Sequence, residues 1–180
     1  MQPTIRPVSA FTPQHYDLLL LADPSLKSIA SYLSRSTAFE MVADQRLIGL
    51  VVVRPLTNQT AEIMNLAITP KFQRQHFASR LLEFVIEHAP KTGIQKLRIV
   101  TGSTSFTQLY LYQKLGFRCV KVLTDHFVNS AYYSEPIYEN NLRLRDAIVL
   151  ERDFLSDLGA FLTHKARNYI AHVAVAYLIN

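Results

Sequence analysis

The spacing of hydrophobic and polar positions changes several times along the chain, and each change predicts a new element. A short run containing β-branched residues predicts a strand at residues 4–8. Thr12 followed by Pro13 is typical of a helix N-terminus, so we expect a helix over about 13–21. After an Asp-Pro pair, a second helix is expected over about 24–33. The chain is therefore predicted to begin with one strand and two helices.

Three apolar runs rich in β-branched residues come next. They cover residues 39–43, 47–55 and 61–69, and short polar stretches of turn-forming residues separate them. Runs of this kind, joined by short turns, predict three strands that pair as an antiparallel meander.

The following segment predicts a helix, a strand and a second helix. From Arg74, apolar residues recur at helical spacing until Pro90. A strand is predicted at 96–101 and a short helix at 105–115. Gly116 is expected to close that helix, because glycine adopts the left-handed cap conformation at little cost.

Two more strands and an extension complete the chain. The strands are predicted at 117–123 and 142–150, with a polar, tyrosine-rich connection between them. Residues 153–180 carry an apolar stripe at helical spacing, which predicts one or two C-terminal helices that pack either on the core or on another subunit. A homo-oligomer formed through this extension is one expectation.

Length, composition and charge exclude several classes of protein. The 180 residues suit one domain, and 49% hydrophobic with 18% charged residues argue against disorder. A net charge of +5 favours an anionic partner without choosing among nucleic acid, a phosphorylated cofactor and a membrane surface. Because no aromatic-interleaved basic patch or nucleic-acid motif accompanies that charge, we expect no nucleic-acid partner.

Other features favour a cytoplasmic protein without a metal. Cys119 is the only cysteine, so no intrachain disulfide can form, and the N-terminus lacks the apolar core of a signal peptide. The longest apolar stretch, 169–179, is shorter than a membrane span and contains His172, so no membrane contact is expected. His126 in the tyrosine-rich connection has no second His or Cys at metal-ligand spacing, which predicts no metal site there.

The first candidate for chemistry is the stretch TPKFQRQHFASRLLEF at 69–84, where a strand runs through a basic loop into a helix. The first N–H groups of a helix lack intrahelical partners, and the helix dipole adds positive potential. Lys71, Arg74, His76 and Arg80 add to that potential. The stretch predicts an anion site, with an ordinary solvated helix start as the alternative. Since it matches neither the P-loop nor GxGxxG, nucleoside triphosphates are disfavoured.

The same stretch resembles a known motif. NLAITPKFQRQHFASRLLEF is similar to the acetyl-coenzyme A binding motif of the GNAT superfamily of N-acetyltransferases, whose loop is Gln/Arg-x-x-Gly-x-Gly/Ala and here runs from Gln73 to Ala78. LYQKLGF at 111–117 resembles the second family marker, a tyrosine on a short helix followed by Gly-Phe. TGSTSFTQLYLYQKLGF and SEPIYENNLRLRDAIVL are similar to an uncharacterised bacterial subgroup.

The predicted order of elements matches the fold of that family. The resemblance implies an α+β (α/β) domain with a mixed, mainly antiparallel central sheet of about six to seven strands flanked by helices. It covers about residues 3–152, so we expect an acetyltransferase domain at 1–152 followed by the extension at 153–180.

The resemblance also implies an activity and a cofactor. The activity is transfer of the acetyl group of acetyl-CoA, a cosubstrate, to a primary amine by direct attack in a ternary complex. The acceptor is a small-molecule or peptide amine that no motif identifies. The residues that the resemblance assigns to coenzyme A are Leu66, Ala67, Ile68, Gln73, Arg74, Gln75, His76, Phe77, Ala78, Ser79, Arg80, Ser103, Ser105, Tyr112 and Lys114.

Glu62 matches the position where several family members place a general base. A lysine-like amine has a pKa of about 10.4, so only about one molecule in a few thousand is neutral at pH 7 and a base is useful. Strand alternation would place Glu62 on one face with Met64 and Leu66. The alternative is an exposed strand glutamate, or one that pairs with a basic residue.

Tyr112 matches the family's general acid, which protonates the thiolate of coenzyme A as it leaves. Its phenol is a hydrogen-bond donor at physiological pH. Tyr110 is a weaker candidate, because two residues away on a helix it points elsewhere. The alternative is that Tyr112 only packs its ring against the helix core, near Leu109 and Leu115.

Two positions depart from the family pattern. His76 replaces the first loop glycine, and Ser103 stands where many relatives carry an asparagine that touches the cofactor. A histidine with positive φ costs on the order of 1 kcal/mol, and a negative φ would remove that cost. These departures leave a second hypothesis open, a non-catalytic acyl-CoA-binding or interaction protein with the same fold.

Overall fold

The computed structural model describes residues 2–133 and 135–155. In chain order the elements are β1 (Thr4–Pro7), α1 (Pro13–Ala22), α2 (Leu26–Leu33), β2 (Thr37–Ala43), β3 (Arg46–Pro55), β4 (Thr60–Ile68), a 3-10 turn (Pro70–Phe72), α3 (Phe77–His88), a second 3-10 turn (Ala89–Thr92), β5 (Lys96–Gly102), α4 (Phe106–Lys114), β6 (Arg118–Leu123), β7 (Tyr138–Glu139), β8 (Leu142–Arg143) and β9 (Ala147–Asp153).

Seven of these strands form one sheet in the order β1-β2-β3-β4-β5-β9-β6. All neighbouring pairs are antiparallel except β4 and β5, which run parallel. The prediction of a mixed, mainly antiparallel sheet of six to seven strands flanked by helices is confirmed.

The end of the chain differs from its prediction in one respect. The predicted strand at 142–150 is two strands, because residues 142–143 pair with 138–139 in a small hairpin and only β9 joins the large sheet. The hairpin turn is formed by Asn140 and Asn141, whose φ angles of 52° and 61° suit the two-residue turn that matches strand twist.

The sheet is covered by helices on both faces. On one face, α3 and α4 bury a core that includes Leu81, Leu82 and Ile63. On the other face, α1 and α2 bury a second core that includes Leu19 and Ile29. The amphipathic patterns of α2 and α3 are therefore explained by burial against the sheet.

The helix predicted from Arg74 begins three residues later, at Phe77. Arg74 and His76 have φ angles of 58° and 62°, which are incompatible with a right-handed helix. The sequence pattern placed the start too early because apolar spacing does not reveal the left-handed backbone of these two residues.

The extension lies mostly outside the described residues. β9 ends at Asp153, and Phe154 packs against the core on the α3 and α4 face. The helices predicted over 153–180 fall on residues beyond 155. None of the helices within 2–133 and 135–155 combines the length and the apolar character needed to cross a membrane.

Candidate active site

The sheet opens between β4 and β5. The two strands pair in parallel only as far as Ile63 and Ile99. The pairing of β4 with β3 skips Met64, which is therefore the extra residue of a β-bulge, and then continues to Ile68. Beyond Ile63, one backbone edge of β4 thus faces a gap instead of a neighbouring strand.

The bulge changes which side chains share a face. Met64 packs on the α1 and α2 side of the sheet, whereas Leu66 packs against the core on the α3 and α4 side. Alternation had placed Leu66 on the same face as Glu62 and Met64. That prediction is wrong, because the extra residue shifts the alternation by one.

The gap widens into a cleft of about 860 Å³. Residues of β4, β5 and α4 line it. The turn between α1 and α2, together with residues 126–133 of the tyrosine-rich connection, forms the opposite wall. Residues from widely separated parts of the chain therefore meet around the opened sheet.

Tyr112 projects from α4 toward this gap. It lines the cleft while only 6% of its surface is exposed, and its ring packs edge-on against Phe117 at 6.3 Å. Burial, and then the negative charge of Glu139, raises the pKa of the Tyr112 phenol well above its ordinary value. The phenol is therefore a protonated donor facing the cleft. Tyr110, in contrast, is 67% exposed.

Glu62 lies in the cleft on the face of the sheet opposite to Ile63. Its Oε2 is 3.3 Å from Nε of Arg98 on β5, and its side chain is 12% exposed. Arg54 on β3 is its direct neighbour on the other side. Pairing with a basic residue, the alternative role considered for Glu62, is therefore present in the structure.

The start of α3 has free donors. The first backbone hydrogen bond of the helix runs from N–H of Arg80 to the carbonyl of His76 at 3.1 Å. The N–H groups of Phe77, Ala78 and Ser79 precede that bond, and no side chain caps the helix. These three free donors and the positive end of the helix dipole are the features on which the predicted anion site depends.

The loop before α3 is tied to the end of β4. Nε2 of Gln73 donates to the carbonyl of Ile68 at 3.1 Å, and Gln73 lines the cleft. Gln75 is exposed and donates to the carbonyl of Lys71 at 3.2 Å. The link from Gln73 to β4 places the start of the helix at one end of the gap.

A carboxylate from the β7–β8 hairpin lies beside the segment from β5 to α4. Ser105, at the N-terminus of α4, donates its hydroxyl to Oε2 of Glu139, which is carried by the β7–β8 hairpin. Thr104 lies 3.4 Å from the same oxygen, and Nδ2 of Asn140 donates to the carbonyl of Thr104 at 2.7 Å. The hairpin therefore fixes Glu139 in the cleft.

The other residues assigned to the cofactor divide into two groups. Leu66, Ala67, Ile68 and Ser105 line the cleft. Residues 74–80, Ser103 and Lys114 do not. Ser103 donates its N–H to the carbonyl of Asp146 at 2.9 Å, and Lys114 is exposed near the end of α4.

Helices α1 and α2, with the turn between them, are hydrogen-bonded both to β4 and to the tyrosine-rich connection. Nδ2 of buried Asn65 donates to the carbonyl of Leu19 at 3.0 Å and lies 3.2 Å from the hydroxyl of Tyr32. The hydroxyl of Tyr133 donates to Asp23 at 3.1 Å, which docks the connection on the α1–α2 turn. Burial, opposed by the hydrogen bond with Asn65 and supported by the charge of Asp23, raises the pKa of Tyr32 to about 12.

The sequence did not identify five polar residues of the cleft, which are Asp23, Arg54, Asn65, Arg98 and Glu139. An asparagine inside an apolar strand was the one local signal available, because buried amides require partners. Arg54 and Arg98 depend on strand register, Glu139 on a hairpin, and Asp23 on the docking of Tyr133, none of which a local pattern encodes.

The φ angle of 62° at His76 leads to a stability prediction. Substitution of His76 by glycine is expected to stabilise the fold by about 0.5–1 kcal/mol, because glycine adopts this conformation without strain. Urea unfolding measures the change. Ala78→Gly, inside α3, is the matched control and should destabilise by about 1 kcal/mol. A less stable His76→Gly protein contradicts the strain argument.

Comparisons with known proteins agree with this geometry. Residues 9–117 match the model of the acetyltransferase (GNAT) family. The chain is 40% identical over 138 residues to the uncharacterized N-acetyltransferase YvbK of Bacillus subtilis (strain 168), which covers 77% of this chain and 88% of that protein.

Two solved structures share the fold at significant identity. One is a GNAT family acetyltransferase from Elizabethkingia anophelis with acetyl-CoA bound, with 42% identity, a TM-score of 0.80, and coverage of 84% of this chain and 97% of that one. The other is a Bacillus subtilis acetyltransferase in complex with CoA, with 37% identity, a TM-score of 0.80, and coverage of 84% and 99%.

Proposed function

Because this chain belongs to the GNAT family and is an acetyl-CoA-dependent N-acetyltransferase, we propose that it acetylates a primary amine of a small-molecule or peptide acceptor by direct attack, with both substrates bound together. The observation that supports this most strongly is the gap beyond Ile63 and Ile99, which exposes a strand edge in the same cleft that Tyr112 lines.

The residues around the gap fit acetyl-CoA as a substrate. The free N–H groups of Phe77, Ala78 and Ser79 suit its pyrophosphate, with Arg74 and Arg80 adding positive charge. The unpaired edge of β4 suits the amide-bearing pantetheine arm, which adds to a sheet as a peptide strand does. Bound there, acetyl-CoA supplies an activated acyl group to the cleft.

Glu62 is the proposed base. An amine must lose a proton to attack the acyl carbon, and Glu62 lies in the cleft where it accepts that proton directly or through water. Its contact with Arg98 fixes the position of the carboxylate. As the C–N bond forms, negative charge develops on the acyl oxygen, and N–H groups beside the Met64 bulge are the proposed donors to it.

Tyr112 is the proposed acid. When the C–S bond breaks, the sulfur takes a proton, and the buried phenol is the donor that faces the gap from α4. The high pKa of Tyr112 ensures that it carries this proton at every physiological pH. Solvent then restores the phenol. Starting from the ammonium form, the nitrogen loses two protons, one before attack and one as the tetrahedral intermediate collapses. One of them is balanced by the proton that the thiol gains, and the other passes through Glu62 to solvent. Direct attack by the amine requires no covalent enzyme intermediate.

Calorimetry followed by a thiol-release assay tests the proposal. The full chain should bind acetyl-CoA and CoA in the micromolar range, and it should bind pantetheine far more weakly, because pantetheine lacks the pyrophosphate that α3 accepts. Thiol release should then depend on an added amine. Failure to bind CoA, or binding that pantetheine reproduces, overturns the proposed site.

A further inference from the structure

Three charged side chains that line the cleft lie side by side across the sheet at the closed end of the gap, in a row that continues to Glu151 on β9. Arg54 on β3 pairs in register with Glu62 on β4, and Glu62 pairs in register with Arg98 on β5. Directly opposed residues of neighbouring strands point to the same face of a sheet. All three line the cleft, so two guanidinium groups flank one carboxylate there.

These three side chains are two guanidinium groups and one carboxylate, so positive charge is in excess. The Nε of Arg98 is 3.3 Å from Glu62 but is buried without a hydrogen bond of good geometry, and the Arg98 side chain is still 32% exposed. Within residues 2–133 and 135–155, half-buried Arg54 has no hydrogen-bond or ion-pair partner. A partly buried guanidinium without a partner is best satisfied by an anionic ligand, and carboxylate matches its planar donors.

The other end of the cleft carries the opposite charge. Along the same face of β5, Arg98 is followed by Val100 and Gly102, and Oγ of Ser105 lies 2.7 Å from where a Cβ of Gly102 would be. That hydroxyl holds the carboxylate of Glu139, whose hydrogen-bond partners are neutral hydroxyls. The four residue steps from Arg98 to Gly102 cover about 13 Å along β5, and side chains reach into the cleft from both ends of this stretch.

We propose that the acceptor is an amino acid or a similar small amine that bears a carboxylate, and that Arg54 and Arg98 bind this carboxylate. The inference rests on the proposed function, since it assigns a substrate class to the same site. The ammonium form is attracted by the negative charges of Glu62 and Glu139, and Glu62, the proposed base, lies directly beside the two guanidinium groups. Arg54 is then a specificity-determining residue that takes no part in proton transfer.

The charge pattern opposes two other acceptors. A diamine or polyamine would bring its second cation beside Arg54 and Arg98, where like charges repel. A peptide amine would leave the two guanidinium groups without a carboxylate at the required distance. Acetylation of either kind of acceptor in preference to an amino carboxylate would therefore count against the inference.

The test compares matched amines in a thiol-release assay with saturating acetyl-CoA. Each amino carboxylate is assayed beside its primary amide and its decarboxylated amine, with a diamine included. We expect kcat/KM to be about 10- to 100-fold higher for the carboxylate than for its two partners. Arg54→Gln should remove this preference, mainly by raising KM for the carboxylate, while the amide is unaffected and Arg54→Lys keeps part of the preference.

Arg118→Gln is the matched control. Arg118 is an exposed arginine on β6 that pairs in register with Glu151 and does not line the cleft. It should leave every kcat/KM unchanged. The inference is overturned by equal turnover of carboxylate and amide, by preference for the diamine, or by binding of CoA with no transfer to any amino carboxylate. Loss of CoA binding itself would instead refute the proposed function, so the two failures are distinguishable.

Discussion

Replacing Glu62 with glutamine is expected to lower kcat for amine acetylation by at least about 100-fold at pH 7, the usual range for loss of a general base. Glutamine keeps the shape of the side chain but accepts no proton, so only the rare neutral amine reacts. Because the neutral fraction rises tenfold per pH unit, the rate of the variant should rise by about that factor per unit toward the amine pKa of about 10.4.

The pH profile separates a base from a structural ion pair. If Glu62 only holds Arg98 in place, the variant profile runs parallel to that of the parent protein, and the base assignment is wrong. Glu151→Gln is the control, because Glu151 is a half-buried carboxylate on the same row of the sheet, 3.0 Å from Nζ of Lys96 and outside the cleft. It should change neither the rate nor the profile.

Replacing Tyr112 with phenylalanine is expected to lower kcat by about 100-fold while the affinity for CoA changes much less. The substitution removes the proton donor to the departing sulfur and keeps the ring that packs against Phe117. Because burial and Glu139 raise the pKa of Tyr112 above its ordinary value, the parent should lose no activity through Tyr112 ionisation below about pH 10.

Tyr110→Phe is the control for this experiment, since Tyr110 lies on the same helix and is 67% exposed. Calorimetry gives the CoA affinity of both variants, and single-turnover kinetics gives the chemical step. Unchanged turnover in Tyr112→Phe would show that Tyr112 only packs in the core, the alternative that its apolar neighbours allow. If the acid role is right, an acetyl thioester whose thiol has a lower pKa should partly rescue the variant, because its thiolate leaves with less need of a proton.

The sequence predicted the elements of the fold because their signals are local. Helix α3 follows from apolar spacing within twelve residues, and the β2–β3 turn at Asp44 and Gln45 follows from its polar composition. The free donors at the start of α3 could be predicted equally well, since a basic loop that enters a helix indicates free N–H groups without knowledge of the rest of the chain.

The polar half of the cleft could not be predicted in the same way. The bulge at Met64 appears only when β4 pairs with β3, and it moves Leu66 to the other face. Arg54 and Arg98 meet Glu62 through register across three strands, and Glu139 reaches Ser105 from a hairpin 34 residues later. These contacts depend on tertiary pairing, which one sequence does not specify.

The open edge of β4 also bears on aggregation. An unpaired strand edge is a template on which other chains add, but this one lies inside a cleft walled by α4, the α1–α2 turn and residues 126–133. A slender ligand can enter it, whereas a strand of another protein with its own neighbours cannot. The two outer edges of the sheet have other features that oppose pairing with another chain. These are Arg118 and Lys121 on β6, and the shortness of β1 together with its Pro7. The protein therefore keeps an unpaired edge open to a slender ligand without offering it to the edge strands of folded copies.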